Sequence, residues 1–538
     1  MSAARAQGGL MNVSGRGAQR STPAPVPLQE WRPSVNPWIV AASVMLATFM
    51  EVLDTSVANV ALPHISGNLS ATTDESTWVL TSYLVSNAIV LPATNWLSRY
   101  FGRKRFLITC IVIFTLASAM CGAATSLSML IFARVLQGAG GGALQPIAQS
   151  VLLESFPPEK RGQAMAVYGL GIVVAPIIGP TLGGWITDNY SWRWIFYINV
   201  PVGALAIFMA NTFVHDPPYI RAQKPGRIDY IGFGLMAVGL AALQLVLDKG
   251  QEEDWFSSSF IVWTAMLALV TLVGFVIWEL RSDEPIVNLR ILKNRNFAVW
   301  TMVITVMGVV LYGSIALLPL FLQTLMGYPA TASGMAVSPR GFGSILSMII
   351  VGRLVGRVDA RWLIMFGFAV LAYSTWMLAG LNLEIAMSNV IWPNIISGCA
   401  MGFIFVPLTT MAMGTLPNEQ VGNASGVYNL MRNTGGSIGI AAMTTLLARS
   451  AQAHQVAMSA HMTPYDPAFM ERLRQIMRAG AGLQQALASV YGIVLRQSML
   501  LAFIDNFRLL AVMCILCVPA TLLFKRVRAR GGPSVAAH

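Results

Sequence analysis

Five stretches of this apolar chain carry charge where charge is expensive. The first reads FMEVLDTSVANVALP and holds Glu51 and Asp54 three residues apart, on one face of a helix. Two carboxyl groups that close cannot ionise independently, which suits a proton acceptor that must load and unload. In the other reading Asp54 hydrogen-bonds neighbouring backbone and only fixes helix packing. The second stretch, ARVLQGAGGGALQPIAQSVLLE, places Arg134 inside an apolar run. A guanidinium there needs a carboxylate or a solvated cavity, and Asp54 is a candidate partner. Arg340 and Arg432 are two further cations in apolar segments, and Gln137 and Asn59 are expected to line a substrate cavity with them. In AFIDNFRLL, Asp505 and Arg508 stand three apart and most simply neutralise each other. No P-loop accompanies these charges, and none of the five His stands in a ligand spacing such as HExxH. The pattern points to no enzyme, no metal and no cofactor.

The elements that must position these groups are rich in small residues. Gly138 to Gly142 thin one segment for close helix contact, and Pro146 can kink it. GLGIVVAPIIGPTLGGW holds Pro176, Gly179, Pro180, Gly183 and Gly184. That composition fits a bending gate, and it fits a rigid packing face equally. Gly102 and Gly436 each need special backbone geometry or tight packing. Gly102, Arg103 and Lys104 lie in a basic loop, NWLSRYFGRKRFL, whose simplest role is to mark the cytoplasmic side.

The whole chain has 538 residues, 55% of them hydrophobic and only 11% charged. A soluble chain carries about 25% charged residues, so this is a polytopic, all-α membrane protein. Apolar runs long enough to cross a bilayer occur near 38–62, 77–97, 106–124, 128–153, 164–186, 194–214, 230–247, 259–280, 298–322, 331–352, 362–381, 390–416, 425–448 and 500–524, fourteen in all. With both termini inside, the inner segments hold 24 of the 35 Lys and Arg residues, as the positive-inside rule requires. The net charge of +12 is therefore topological and implies no nucleic-acid partner. The five Cys all fall in apolar runs and read as small buried hydrophobes.

An internal repeat organises the spans. FPPEKRGQAMAVY (156–168) and LPNEQVGNASGVY (416–428) match at a constant offset of 260. Each runs from a polar inner loop into an apolar helix. The halves then equalise as six helices, two inserted helices and six helices. The expected divisions are a disordered cytoplasmic arm (1–36), a six-helix bundle (37–214), the inserted pair with its flanking loops (215–297), a second bundle (298–524) and a cytoplasmic tail (525–538). A parallel repeat of this kind sets a substrate site between its halves. The long outer loop, 449–499, is expected to start a helix at Asp466-Pro467 with Phe469, Leu473 and Ile476 along one side, to break at Gly480 and Gly482, and to lead by a second helical run into the last span. It is read either as a docking surface or as a lid.

At these residues the chain resembles the fourteen-helix drug:proton antiporters of the major facilitator superfamily, most closely the EmrB-type multidrug exporters. The likeness rests on LDTSVANVALP (53–63), RVLQGAGGGALQP (134–146), Gly179-Pro180 with Gly183-Gly184, YSWRWIFYINVPVG (190–203) and LDKGQEEDWFSS (247–258). It implies a major facilitator fold of 14 transmembrane helices (6 + 2 + 6). It also implies export of amphipathic compounds across the bacterial inner membrane, driven by proton entry. Asp54 and Arg134, with Glu51 beside them, would carry the proton coupling, and the glycines and prolines from Pro176 to Gly184 the antiport direction. Partners would be a periplasmic membrane-fusion adaptor of the EmrA kind and an outer-membrane channel. Dedicated export of one metabolite, such as a siderophore or lipid-like molecule, is the nearest alternative; a non-transporting scaffold or receptor is another. Two features depart from the pattern. In the loop after helix 2 the family's leading Gly and the Asp that follows it are here Asn95 and Arg99, and Arg340 is not a general family feature.

Overall fold

The computed structural model describes residues 35–71, 73–157, 160–216, 229–355, 357–414, 416 and 418–523. Nearly all of the terminal arm and the whole tail from residue 525, including its basic cluster, lie outside that range. Among the described residues the regular structure is helical, apart from an isolated bridge between Val355 and Val358. The first bundle runs α1 (Pro37–Asn68), α2 (Thr73–Phe101), α3 (Arg103–Ala123), α4 (Leu127–Gly141) continued by α5 (Leu144–Ser155), α6 (Arg161–Asn189), and α7 (Trp194–Tyr197) continued by α8 (Asn199–Phe213). The inserted pair is α9 (Tyr230–Lys249) and α10 (Ser259–Arg281). The second bundle runs α11 (Arg295–Leu320), α12 (Ala330–Val337) continued by α13 (Pro339–Leu354), α14 (Ala360–Leu378), α15 (Ser388–Gly414), α16 (Asn418–Ser459), a short α17 (Pro467–Arg478) and α18 (Leu483–Ala520).

Twelve helices among the described residues are long and apolar enough to cross a membrane. Two more, α2 and α16, have the length, 29 and 42 residues, but are more polar. These two meet each other across the two bundles. Together they complete the 6 + 2 + 6 arrangement of fourteen crossings.

Helices in lipid gain little from apolar burial against one another, so close approach by small residues does much of the joining. A Cβ on Gly140 would lie 2.7 Å from the backbone nitrogen of Phe114 in α3. Gly138, on the same helix, fits directly against the carbonyl oxygen of Tyr83 in α2. The helix breaks at Gly142-Ala143, one turn before Pro146.

At the end of the bundle that carries the basic loop, the two halves are in contact. Gly162 of α6 lies against Val355, Gly352 against Ala166, and Gly422 against Asn95. Ser425 of α16 donates to the carbonyl of Pro146 (3.1 Å) and to Gln149 (2.6 Å), and Asn429 donates to Gln149 (2.8 Å). The inserted pair straddles the α2–α16 seam near the other end. Lys249 donates to Thr77 of α2 (2.5 Å), and Thr81 of α2 donates to Asp248. On the other side Ser437 of α16 donates to Gln244 (3.1 Å), and Trp255 donates to Thr445 of α16 (3.0 Å).

Candidate functional site: a buried ion pair and a link between the halves

Asp54 sits midway along α1 and is 3% exposed; Arg134 on α4 is fully buried. Their contact, Arg134 Nη1 to Asp54 Oδ2, is 2.6 Å. Neutral side chains complete the shell. Gln137, one turn beyond Arg134, accepts from Arg134 Nη1 at 2.8 Å and donates to Asp54 Oδ1 at 2.9 Å. Asn199, the first residue of α8, donates to the same Asp54 oxygen at 2.7 Å and to Ser118 at 3.0 Å. Arg134 Nε donates to the carbonyl of Val79 (3.0 Å), and the guanidinium lies 4.2 Å over the Tyr83 ring. Side chains of α4 and α8 thus converge on a carboxylate of α1, with α2 and α3 behind them. An ion pair out of water is stable only with such added hydrogen bonds, and losing either partner strands the other's charge.

Glu51, one turn earlier on α1, has a separate shell. Tyr83 and Asn87 each donate to its Oε1 at 3.2 Å, and Gln145 Nε2 donates to its Oε2 at 2.8 Å. The other end of that Gln145 amide accepts from Arg432 of α16. A carboxylate in the first bundle therefore reaches a guanidinium in the second through one amide. Tyr83 joins the two shells, with its hydroxyl on Glu51 and its ring under Arg134.

This arrangement can hold a proton in two protein-enclosed places and can register relative movement of the halves. A match to the Major Facilitator Superfamily model covers residues 44–440. The chain belongs to that superfamily. It is 39% identical over 443 residues to the multidrug export protein EmrB of Haemophilus influenzae, covering 82% of this chain and 86% of that one. It is 36% identical to the fatty acid resistance protein FarB of Neisseria gonorrhoeae, over 92% and 97% of the two chains. Among solved structures, the human organic anion transporter MFSD10 superposes with a TM-score of 0.58 at 11% identity, covering 89% of this chain and all of that one. That likeness shows the fold alone.

The residues singled out from the sequence of this superfamily member fall into several places. Asp54, Arg134 and Gln137 come together, with Gln137 inside the ion-pair shell and fully buried. Asn59 stands apart: it is exposed and donates to the carbonyl of Thr55 (3.2 Å). Arg432 is not a lone cation, since Gln145 and Asn433 both accept from it. Arg340 is buried, and its side chain hydrogen-bonds among the described residues to two hydroxyls, Ser314 (3.0 Å) and Ser397 (2.6 Å). Asp505 is held chiefly by His454 of α16 at 2.7 Å, with Arg508 farther off at 3.8 Å, so the expected self-neutralising pair is secondary.

Through Pro176 and Pro180, α6 runs unbroken. Ser56 of α1 donates to the carbonyl of Pro176 (3.1 Å). Gly179 lies against Ser56, and a Cβ on Gly183 would stand 2.9 Å from Val57, while Gly184 is in ordinary contact with Val60. The small-residue face thus packs on the helix that carries Asp54.

The basic loop pairs within its own half. Gly102 has a φ of 86°, which frees the turn into α3. Arg103 makes a two-point ion pair with Glu154 at the end of α5. Lys104 donates from its backbone N–H to Asp216 (2.7 Å) and from Nζ to the carbonyl of Asn211 (2.5 Å). Asn95 faces Gly422 in the first turns of α16. Sequence reasoning passed over Asn199, Ser118, Tyr83 and Gln145; YSWRWIFYINVPVG contained Asn199 but gave no sign that it would meet residue 54.

Proposed function

We propose that this protein is a proton-coupled exporter of amphipathic compounds, moving them out of the cytoplasm against their gradient as protons enter. The observation that carries the reading is the Asp54–Arg134 ion pair, enclosed at membrane depth, its α1 carboxylate hydrogen-bonded from α4 and α8. A protonated Asp54 no longer balances Arg134, so proton loading must be matched by a rearrangement of this shell. Asp54 lies on the helix against which the α6 glycines pack, so that rearrangement reaches the helix that also contacts the second bundle. Glu51, Gln145 and Arg432 supply a second route between the halves.

The similarity to multidrug export proteins supports drug-like or fatty-acid-like substrates, and a transporter with no enzymatic step and a proton gradient in place of a cofactor. The excess of Lys and Arg on the segments assigned to the inside supports an inner-membrane protein with both termini cytoplasmic. The far end of the second bundle projects as a small outer domain. There α17 starts at Asp466, whose carboxylate caps Ala468 and Phe469, and Leu473 packs with Ala486 and Val490 of α18. Arg472, Arg474 and Arg478 remain exposed. This surface suits a periplasmic adaptor that passes cargo to an outer-membrane channel. The test is substrate accumulation in everted vesicles on imposing a pH gradient. The wild type should accumulate amphipaths and collapse the gradient; indifference to the gradient would contradict the reading.

A further inference from the structure

Among the described residues, each buried arginine except Arg340 reaches a carboxylate, directly or through one amide. Arg103 faces Glu154, and Arg134 faces Asp54. Arg432 reaches Gln145, whose amide is held by Glu51. Arg340 is 3% exposed and has no ion pair among the described residues. Its Nη2 donates to Ser314 and Ser397, and its Nε has no partner. Among the described residues from 295 to 520, Arg340 and Arg432 are the buried charged side chains, and neither is acidic. A guanidinium enclosed in a membrane protein without a counter-charge is costly, and such groups mark binding sites more often than packing.

The repeat shows where this cation stands. Gly138 on α4 packs against the backbone of Tyr83 and Asn87 on α2. Gly398 on α15, 260 residues later, packs in the same manner against the backbone of Arg340 and Ser344 on α13. Arg340 therefore occupies in the second half the place of Tyr83 in the first, and Ser397 the place of Gln137. In the first half that place borders an ion pair. In the second half it presents a cation and hydroxyls, and no carboxylate. Ser314 spends its proton on the carbonyl of Leu311 (2.9 Å), but Ser397 has no acceptor for its own among the described residues. A planar carboxylate would take two N–H donors from Arg340 and one O–H from Ser397. The same continuous helix pair, α12 and α13, is what α6 packs against, through Thr181 at Gly334 and Ala166 at Gly352, so the site lies on an element that faces the other half.

We propose that Arg340, with Ser397, binds the carboxylate head group of an amphipathic substrate. This rests on the export reading and narrows it: the second bundle selects for one negative charge while the first handles the proton. The test uses three probes with one skeleton, dansylaminooctanoate, its carboxamide and the corresponding amine, in equilibrium binding to detergent-purified wild type, R340K, R340Q and S397A. R340Q should weaken carboxylate binding by about tenfold or more and leave amide and amine within about twofold. R340K should fall between, because an ammonium keeps the charge but loses the two-point fork. If R340Q does not elute as a folded protein, S397A decides: carboxylate binding should weaken about threefold with the amide unchanged. Equal losses for all three probes, or none, would overturn the proposal. So would wild-type binding that favours carboxylate no more than amide and depends on chloride when gluconate replaces it, since the site would then hold an inorganic ion. Binding is read without a pH gradient. Selective binding in a protein that fails to transport would therefore contradict export and leave the site standing.

Discussion

Asp54 and Arg134 depend on one another more than on anything else around them. Removing one partner of an enclosed ion pair leaves an uncompensated charge, at a cost of about 3–5 kcal/mol. Arg134→Ala should therefore lose both transport and stability, read by gradient-driven uptake and by thermal unfolding in detergent. Arg134→Lys keeps the charge but cannot donate at once to Asp54, Gln137 and the carbonyl of Val79. About a tenfold loss of uptake with near-normal unfolding is expected there; full activity in both variants would remove Arg134 from the coupling. This pair was legible in the sequence because a charge in an apolar run demands an opposite charge, and few were on offer. Its neutral supports were not. Asparagine, serine and tyrosine are ordinary in membrane helices, and only the fold brings Asn199 within 2.7 Å of Asp54.

At the level of helices, two matched contacts carry the repeat: α4 against α2 at Gly138, and α15 against α13 at Gly398. In each a Cβ would press on backbone carbonyl oxygen rather than on a side chain that can swing away. Gly138→Ala and Gly398→Ala should each cost about 1–3 kcal/mol, seen as a lower unfolding temperature and reduced transport. Gly234 on α9 has open space around it and is the control, with Gly234→Ala neutral or slightly stabilising. Equal behaviour of all three would deny these contacts their structural weight. The spans themselves were readable from apolar length. The break at Gly142-Ala143 was not, since Pro146 drew attention one turn too late. The α6 glycines allowed a gate or a packing face, and only their seating on α1 shows what they touch.

For the molecule as a whole, the seam between the halves is what matters, and α2 and α16 form much of it. On α16, Ser425 and Asn429 bond across it to Gln149 of α5, while the polar side chains of α2 bond Glu51, the carbonyl of Val135 and Asp248 of the inserted pair. The offset of 260 gave the plan of two equivalent halves. It could not show that the inserted pair would bridge α2 and α16, because periodicity contains no information about which seam a helix covers. The outer domain gives a separate expectation. There α16 continues to Ser459, α17 spans Pro467–Arg478 and α18 begins at Leu483. Replacing residues 460–482 with a short Gly/Ser linker should leave uptake in vesicles within about twofold, because the change lies outside the spans. It should abolish capture of a membrane-fusion adaptor and resistance in cells with an outer membrane. Adaptor capture that survives would place docking elsewhere.

The most direct test of the coupling claim reconstitutes wild type and Asp54→Asn in proteoliposomes and follows substrate accumulation on an imposed pH gradient, alongside substrate exchange with no gradient. Asn keeps the size of Asp54 and its carbonyl can still accept from Gln137 and Asn199, but it cannot take up a proton. The account predicts that Asp54→Asn retains exchange and loses gradient-driven accumulation. Accumulation by Asp54→Asn equal to that of the wild type would contradict it.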